Sequence, residues 1–211
     1  MSTTHGFSSL IYPTFFEGNH FFIDEKVGLL KFSNQYKVYN EEGLQLGLIA
    51  QRVSGWHKFL RLVGNFKAMM PFTLEILDMD GNLQAIIKRN WTFWMSKIQI
   101  LDAEQQLIGL IRQKFRFFRP TFRILDTAEQ EIATITGDWK AWNFRITQGD
   151  KDGPQIGTIT KKWNGVVKEF FTTADKYVVS IEEQVAEDRN KIAIVATAIT
   201  IDMVLKEARG R

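Results

Sequence analysis

A hairpin-sized pattern recurs five times along the chain, and it constrains the fold more than any other feature. The copies begin near Tyr36, Leu74, Ile98, Phe122 and Phe144 and read YKVYNEEGLQLGLI, LEILDMDGNLQAII, IQILDAEQQLIGLI, FRILDTAEQEIATI and FRITQGDKDGPQIGTI. Each opens with apolar/polar alternation, the two-residue period of a strand with one buried face. Each then passes through a polar turn into a second strand. Asn40-Glu41-Glu42-Gly43 and Asp78-Met79-Asp80-Gly81 place a turn-initiating Asx first and glycine last, as in a type I turn closed by a left-handed residue. Gly47, Gly109 and Gly157, with Ala85 at the equivalent place, recur early in the second strand. Small residues there predict a bend or a close backbone approach, which a curved sheet needs. The spacing of about 24 residues fits a meander rather than any catalogued solenoid repeat.

Five hairpins supply ten strands. Apolar segments over Asn19–Asp24 and Val27–Phe32 precede the first copy, and Tyr177–Glu182 follows the last. The expectation is eleven or twelve antiparallel strands. Residues 54–70 break the spacing and read as a short helix or a long loop.

The tail changes character at Glu187. KIAIVATAITIDMVL, Lys191–Leu205, is apolar nearly all round at helical periodicity. Glu187 and Asp188 lead it, Lys206 and Arg209 follow, and Gly210 could cap it, charges and cap that suit a helix dipole. A helix apolar on every side must be buried in protein or lipid. Its uninterrupted run from Ile192 to Ile201 is about half of what spans a bilayer, and extension brings in Asp202, costly in hydrocarbon. A core helix is therefore expected. An eight-stranded barrel is filled by its own side chains, whereas about eleven or more strands admit a central helix. The fold class is thus mainly β: an about twelve-stranded antiparallel closed β-barrel enclosing a hydrophobic C-terminal helix. One domain over 1–211 is expected, with an N-terminal extension at 1–18 and the central helix at 187–208.

GTITKKWNGVVKEFFTTADKYVVSI, Gly157–Ile181, followed by ATAITIDMVLKE, resembles the closing block of phospholipid scramblases. The matching positions are Gly157, Ile159, Lys161, Trp163, Gly165, Phe171, Thr172, Ala174, Asp175, Tyr177, Ile201, Asp202 and Met203. PFTLEILDMDGNLQ, Pro71–Gln84, is similar to another segment of that family, with Met70 where arginine is expected. The resemblance covers Tyr36 to Glu207 and extends to the tubby-like C-terminal (LURP-one-related) superfamily. It implies a twelve-stranded barrel around a hydrophobic helix, a link to phospholipid scrambling, and anionic lipid or a membrane surface as partner. The family's proposed calcium segment corresponds to Thr173–Gln184, but both end positions are acidic in the family and neither is here. Asp175 alone remains, and one carboxylate cannot supply the six to eight oxygens that calcium takes. No cofactor is expected.

Basic and aromatic residues interleave in LIRQKFRFFRPTFR, Leu110–Arg123. Arg112, Lys114, Arg116, Arg119 and Arg123 are candidates for anionic headgroup binding, with Phe115 and Phe117 on the opposite strand face. The bland reading is a solvated face over a packed one. In GWHKFLRLVGNFKAMMPF, Trp56, Phe59, Leu60 and Val63 share a helical face, and Lys58 and Arg61 are further candidates; a lid helix on the barrel end is the alternative. Trp91, Phe93 and Trp94 fit interfacial anchors or cross-strand packing. A net charge of +3 permits an anionic partner without demanding one.

Nucleic acid is disfavoured because no recognised binding signature is present. No enzyme is expected: the three histidines, His5, His20 and His57, lack metal-ligand spacing, and no nucleophile elbow, P-loop or dinucleotide fingerprint occurs. The absence of cysteine removes disulfides, thiolate metal sites and palmitoylation. The first residues lack a basic-then-apolar secretory pattern, so the expected place is the cytoplasm, peripheral to the inner face of the membrane. The alternative function is a soluble scaffold or protein-interaction module with no lipid role.

Overall fold

The computed structural model describes residues 14–27, 34–52, 71–90, 97–114, 121–138, 140–162, 176–185 and 187–209. Twelve strands run in sequence order: β1 (His20–Val27), β2 (Asn34–Tyr39), β3 (Gln45–Gln51), β4 (Phe72–Asp78), β5 (Leu83–Arg89), β6 (Lys97–Asp102), β7 (Leu107–Lys114), β8 (Thr121–Leu125), β9 (Glu131–Asp138), β10 (Asn143–Gln148), β11 (Gln155–Thr160) and β12 (Lys176–Ile181). Each pairs antiparallel with its sequence neighbours. β1 closes on β12, with Phe22 opposite Val178, so the barrel has no free edge.

The five hairpins are β2–β3, β4–β5, β6–β7, β8–β9 and β10–β11. Alternation buries Tyr36 and Val38, Leu74 and Ile76, Ile98 and Ile100, Phe122 and Ile124, and Phe144 and Ile146 inside the barrel. Of the apolar segment expected over 27–32, Val27 ends β1, and 28–32 lie outside the described residues, as do 54–70 and Gly210. The strand count is twelve because β1 and β12 complete the ten hairpin strands.

Every hairpin slips its register at the same place, between Val38 and Tyr39, Ile76 and Leu77, Ile100 and Leu101, Ile124 and Leu125, and Ile146 and Thr147. The extra residue on the second strand directly precedes Gly47, Ala85, Gly109, Ala133 or Gly157. These bulges bend the sheet and steepen its twist, which is what closure requires. At Gly47 an added Cβ would stand 2.0 Å from the Leu77 carbonyl oxygen. The neighbouring strand comes too close there for any side chain.

The turns also repeat. Gly43 and Gly81 have φ of 78° and 84°, and Gln105 and Glu129 occupy the same left-handed position at 63° and 62°. In each, the Asx that opens the turn accepts backbone N–H groups on its side-chain oxygen. Asn40 Oδ1 takes Glu42 and Leu44, and Asp78 Oδ1 takes Asp80 and Asn82. Asp102 takes Gln106, and Asp126 takes Gln130. At Asp78, slight burial is outweighed by hydrogen bonds from Asn82, Asp80 and Gly81, which hold its carboxyl below the usual carboxylate range.

Helix α1 (Asp188–Arg209) lies in the barrel. Its residues from Ile192 to Leu205 are buried, with Val195, Ala196, Ala198, Ile199 and Ile201 fully so. Thr197 and Thr200 enter this apolar surround because their hydroxyls donate to the Ala193 and Ala196 carbonyls, at 2.7 and 2.9 Å. Among the described residues no helix is long and apolar enough to cross a membrane. In the first helical turn, buried Lys191 donates to the carbonyls of Phe16, Glu17 and Gly18 at 3.2, 3.3 and 3.2 Å. The end of the expected N-terminal extension is thereby clamped against the helix, and Phe15 and Phe16 join the core.

Candidate functional site

The antiparallel meander sorts the connections between the two ends of the barrel. All five hairpin turns, and the link from β12 to α1, lie at one end. The remaining connections, 28–33, 52–71, 90–96, 115–120, 139–142 and 161–175, join strand ends on the opposite rim.

The sequence gives these two ends opposite charge. The turn end carries Glu41, Glu42, Asp78, Asp80, Asp102, Glu104, Asp126, Glu129, Asp150 and Asp152, and then Glu182, Glu183, Glu187 and Asp188, against Lys151 and Arg189. On the opposite rim Arg52, Lys97, Lys140, Lys161 and Lys162 outnumber Asp138 at or beside the strand ends; of these, Arg52 pairs with Glu75 at 3.3 Å and Lys97 with Glu129 at 2.9 Å. Segments 53–70, 91–96 and 115–120, which join strand ends of this rim, contain no Asp or Glu but hold Lys58, Arg61, Lys67, Arg116 and Arg119, with Trp56, Trp91 and Trp94, whereas 163–175 on the same rim holds Lys168, Glu169 and Asp175. Those segments lie outside the described residues. A cleft of about 760 Å³ beside the helix N-terminus belongs to the acidic end, with Asp126, Glu131 and Glu187 in its lining against Arg189.

Of the candidate cations, Arg112 and Arg123 are described in full. Lys114 ends β7 but its side chain is not described, and Lys58, Arg61, Arg116 and Arg119 are outside the described residues. Arg112 and Arg123 are direct cross-strand neighbours, as are Lys97 and Arg112. Three cations side by side would repel, and two carboxylates offset them. Glu129 pairs with Lys97 at 2.9 Å and with Arg112, and Glu131 pairs with Arg123 at 3.2 Å. The Lys97 ammonium, helped by Arg112, holds the Glu129 carboxyl below its ordinary range. This face is a compensated ion-pair network, worth little to stability because it is exposed.

Across the barrel, the rim at β9–β12 has a different character. Lys140 and Lys162 are exposed. Lys161 lies over the Trp142 ring, 4.7 Å from its centroid, within the range of a cation–π contact. Trp142 is buried against Phe144 and Tyr177, with centroids 5.9 and 5.1 Å away. Beneath it, Asp202 of α1 accepts a hydrogen bond from the Tyr36 hydroxyl at 3.1 Å. Burial, with the Asp202 carboxylate adding to it, pushes the Tyr177 phenol well above its usual range. Asp202 is thus a buried, hydrogen-bonded carboxylate in the barrel core.

The model of the Scramblase family matches residues 29–207. The chain belongs to the scramblase family. Its barrel with a buried C-terminal helix is the architecture that the resemblance implied. No curated protein matches, and no solved structure does. Scramblase-family calcium binding would draw on Asp175, which lies outside the described residues. Among the described residues, no group of three or more acidic or histidine side chains is arranged to hold a metal ion.

Sequence reading alone found the basic β7–β8 stretch but missed its neutralisation by Glu129 and Glu131. It also passed over Lys140 and Trp142. The one available signal for them was the WKAW tetrapeptide, Trp139–Trp142, in the connection between two repeats.

Proposed function

We propose that this scramblase-family barrel is a non-enzymatic, peripheral binder of anionic phospholipid that docks end-on through its basic rim. The observation that carries this reading is the segregation of charge between the barrel ends. An anionic surface attracts one end and repels the other, so the field orients the molecule as well as holding it. Tryptophans in segments that join strand ends of the same rim suit the headgroup layer. The cytoplasmic leaflet, rich in anionic lipid, is the surface this charge pattern fits. Calcium is not required, because the rim's own cations meet the lipid. Surface binding is assigned rather than lipid passage through the barrel, since α1 fills the interior with apolar side chains.

Co-sedimentation with vesicles tests this. Partition onto phosphatidylcholine vesicles doped with phosphatidylserine is expected to exceed that onto pure phosphatidylcholine, to persist in EDTA, and to fall as salt shortens the screening length. A rim lysine near the surface is worth about 1 kcal/mol, so Lys162→Gln should weaken partition about fivefold. Arg112→Gln with Arg123→Gln should weaken it less than about threefold, because Glu129 and Glu131 already compensate those cations. Indifference of the wild type to lipid charge and to salt would instead favour a soluble interaction module.

A further inference from the structure

Core residues beside the start of α1 are incompletely covered. Tyr36, Ile76, Ile100 and Phe144, inward in four of the hairpins, have no exposure. Ile108, Ile156 and Val185 keep 8%, 5% and 8%, and Ile132 is only partly buried. All four line the cleft of about 760 Å³ at the turn end, together with Ile194 of the helix. Ala133 stands in the same wall. It is the small residue that follows the β8–β9 bulge, and its short side chain leaves room between sheet and helix. A concave, largely apolar lining with a few polar groups at its mouth is the usual form of a small-molecule site.

The polar groups of the cleft are acidic on balance. Asp126, Glu131 and Glu187 stand against Arg189, which is exposed. Glu131 is already paired with Arg123 at 3.2 Å. The other two carboxylates have acceptor capacity to spare. Asp126 Oδ1 takes the Gln130 backbone N–H at 2.8 Å, and its Oδ2 has no partner among the described residues. Glu187 Oε2 takes the Asn190 side-chain amide at a long 3.5 Å. Gln184 donates its own amide to the Gln155 carbonyl, which leaves Gln184 Oε1 as a further acceptor at the cleft. An apolar wall beside these acceptors complements a molecule with an aliphatic body and a cationic, donor-rich end.

We propose that this cleft binds a single-chain aliphatic amine. The alkyl chain lies against the isoleucines and Val185, and the ammonium donates to Asp126, Glu187 and Gln184. An ammonium has three donors and no acceptor, so it matches this set. An anionic head would meet two uncompensated carboxylates with Arg189 as its one cation. The site lies at the end away from the basic rim and does not depend on the membrane reading.

Isoleucine-methyl ¹H–¹³C spectra of the full chain test this. Ile132→Val and Ile98→Val identify two signals by their loss, one at the cleft and one at the other end of the barrel. Octylamine, below its micelle threshold and at about pH 7, where an alkylamine is cationic, is expected to move the Ile132 signal and to leave that of Ile98 in place. Each buried methylene tightens binding about fourfold, so octylamine should bind about fifteenfold more tightly than hexylamine. Asp126→Asn keeps an Asx to open the turn, as Asn40 does in the first hairpin. It should weaken octylamine about fivefold and change octanol, which lacks the charge, by less than about twofold. Octanoate is the anionic control. An Ile132 signal that octylamine does not move, equal affinity for hexylamine and octylamine, octanoate bound as tightly as octylamine, or an Asp126→Asn titration equal to wild type each overturns the inference.

Discussion

Gly47→Ala is expected to destabilise the barrel by about 3 kcal/mol, the combined scale of forced overpacking and of ladder hydrogen bonds given up to relieve it. The added methyl would stand 2.0 Å from the Leu77 carbonyl oxygen and 2.9 Å from the Asp78 Cα. Both atoms are backbone, so no side-chain rotation relieves the clash, and the β3–β4 seam must open. In a domain of this size that corresponds to a fall in the thermal midpoint of roughly 6–12 °C. Gly18→Ala is the control: its Cβ would meet nothing within 4 Å, and its effect should stay within about 0.5 kcal/mol. Thermal and denaturant unfolding of both variants checks this. A shift below about 2 °C for Gly47→Ala would mean that the bulge does not hold the strands at this distance. Ala85 and Ala133 occupy the equivalent place in two other hairpins, so the demand comes from how closely β4 approaches, and not from the bulge alone.

Lys191→Met is expected to cost about 2 kcal/mol, near the middle of the range for hydrogen bonds made by a charged donor. Methionine keeps the apolar length of the side chain and removes the ammonium that joins three successive carbonyls, those of Phe16, Glu17 and Gly18, to the start of α1. Part of the loss is offset, because a cation in the first turn opposes the helix dipole. The specific readout is local. Backbone amides at 14–18 should exchange with solvent faster in the variant, while those of β6–β8 lose protection only as far as global stability falls. Unchanged exchange at 14–18 would show that the buried phenylalanines, Phe15 and Phe16, hold this segment without the lysine.

The hairpins were legible because each is local: an alternating strand, an Asx-initiated turn and a second strand fit within one short stretch. The bulges were half legible. Gly47, Gly109 and Gly157 marked them, but Ala133 carried no comparable signal, and nothing in Gln105 or Glu129 shows that each adopts the left-handed conformation. The buried helix was legible from its uniform apolarity. Closure was legible only through the strand count and the helix that needs a lumen; which strands meet to close the barrel was not, since β1 and β12 pair across most of the chain and no local pattern records it.

The candidate site divides in the same way. Cations gathered in one stretch, such as Arg112 and Arg123, are visible in sequence, but their compensation depends on the next hairpin folding Glu129 and Glu131 against them. Trp142 and Lys161 lie 19 positions apart and are joined only by the register of β10 on β11. Polarity between the barrel ends is a property of topology acting on sequence. Acidic turns and basic connections alternate along the chain, and the meander separates them in space.

The central claim is that the basic rim faces the membrane and the hairpin turns face away. The cysteine-free chain allows one reporter at a time. Asn90→Cys places a fluorophore at the rim, and Met79→Cys places one in the β4–β5 turn at the other end, both at exposed positions. On phosphatidylserine-containing vesicles carrying brominated lipid, the Asn90 reporter should be quenched and the Met79 reporter should not. Equal quenching of both, or quenching at Met79 alone, would contradict end-on docking through the basic rim.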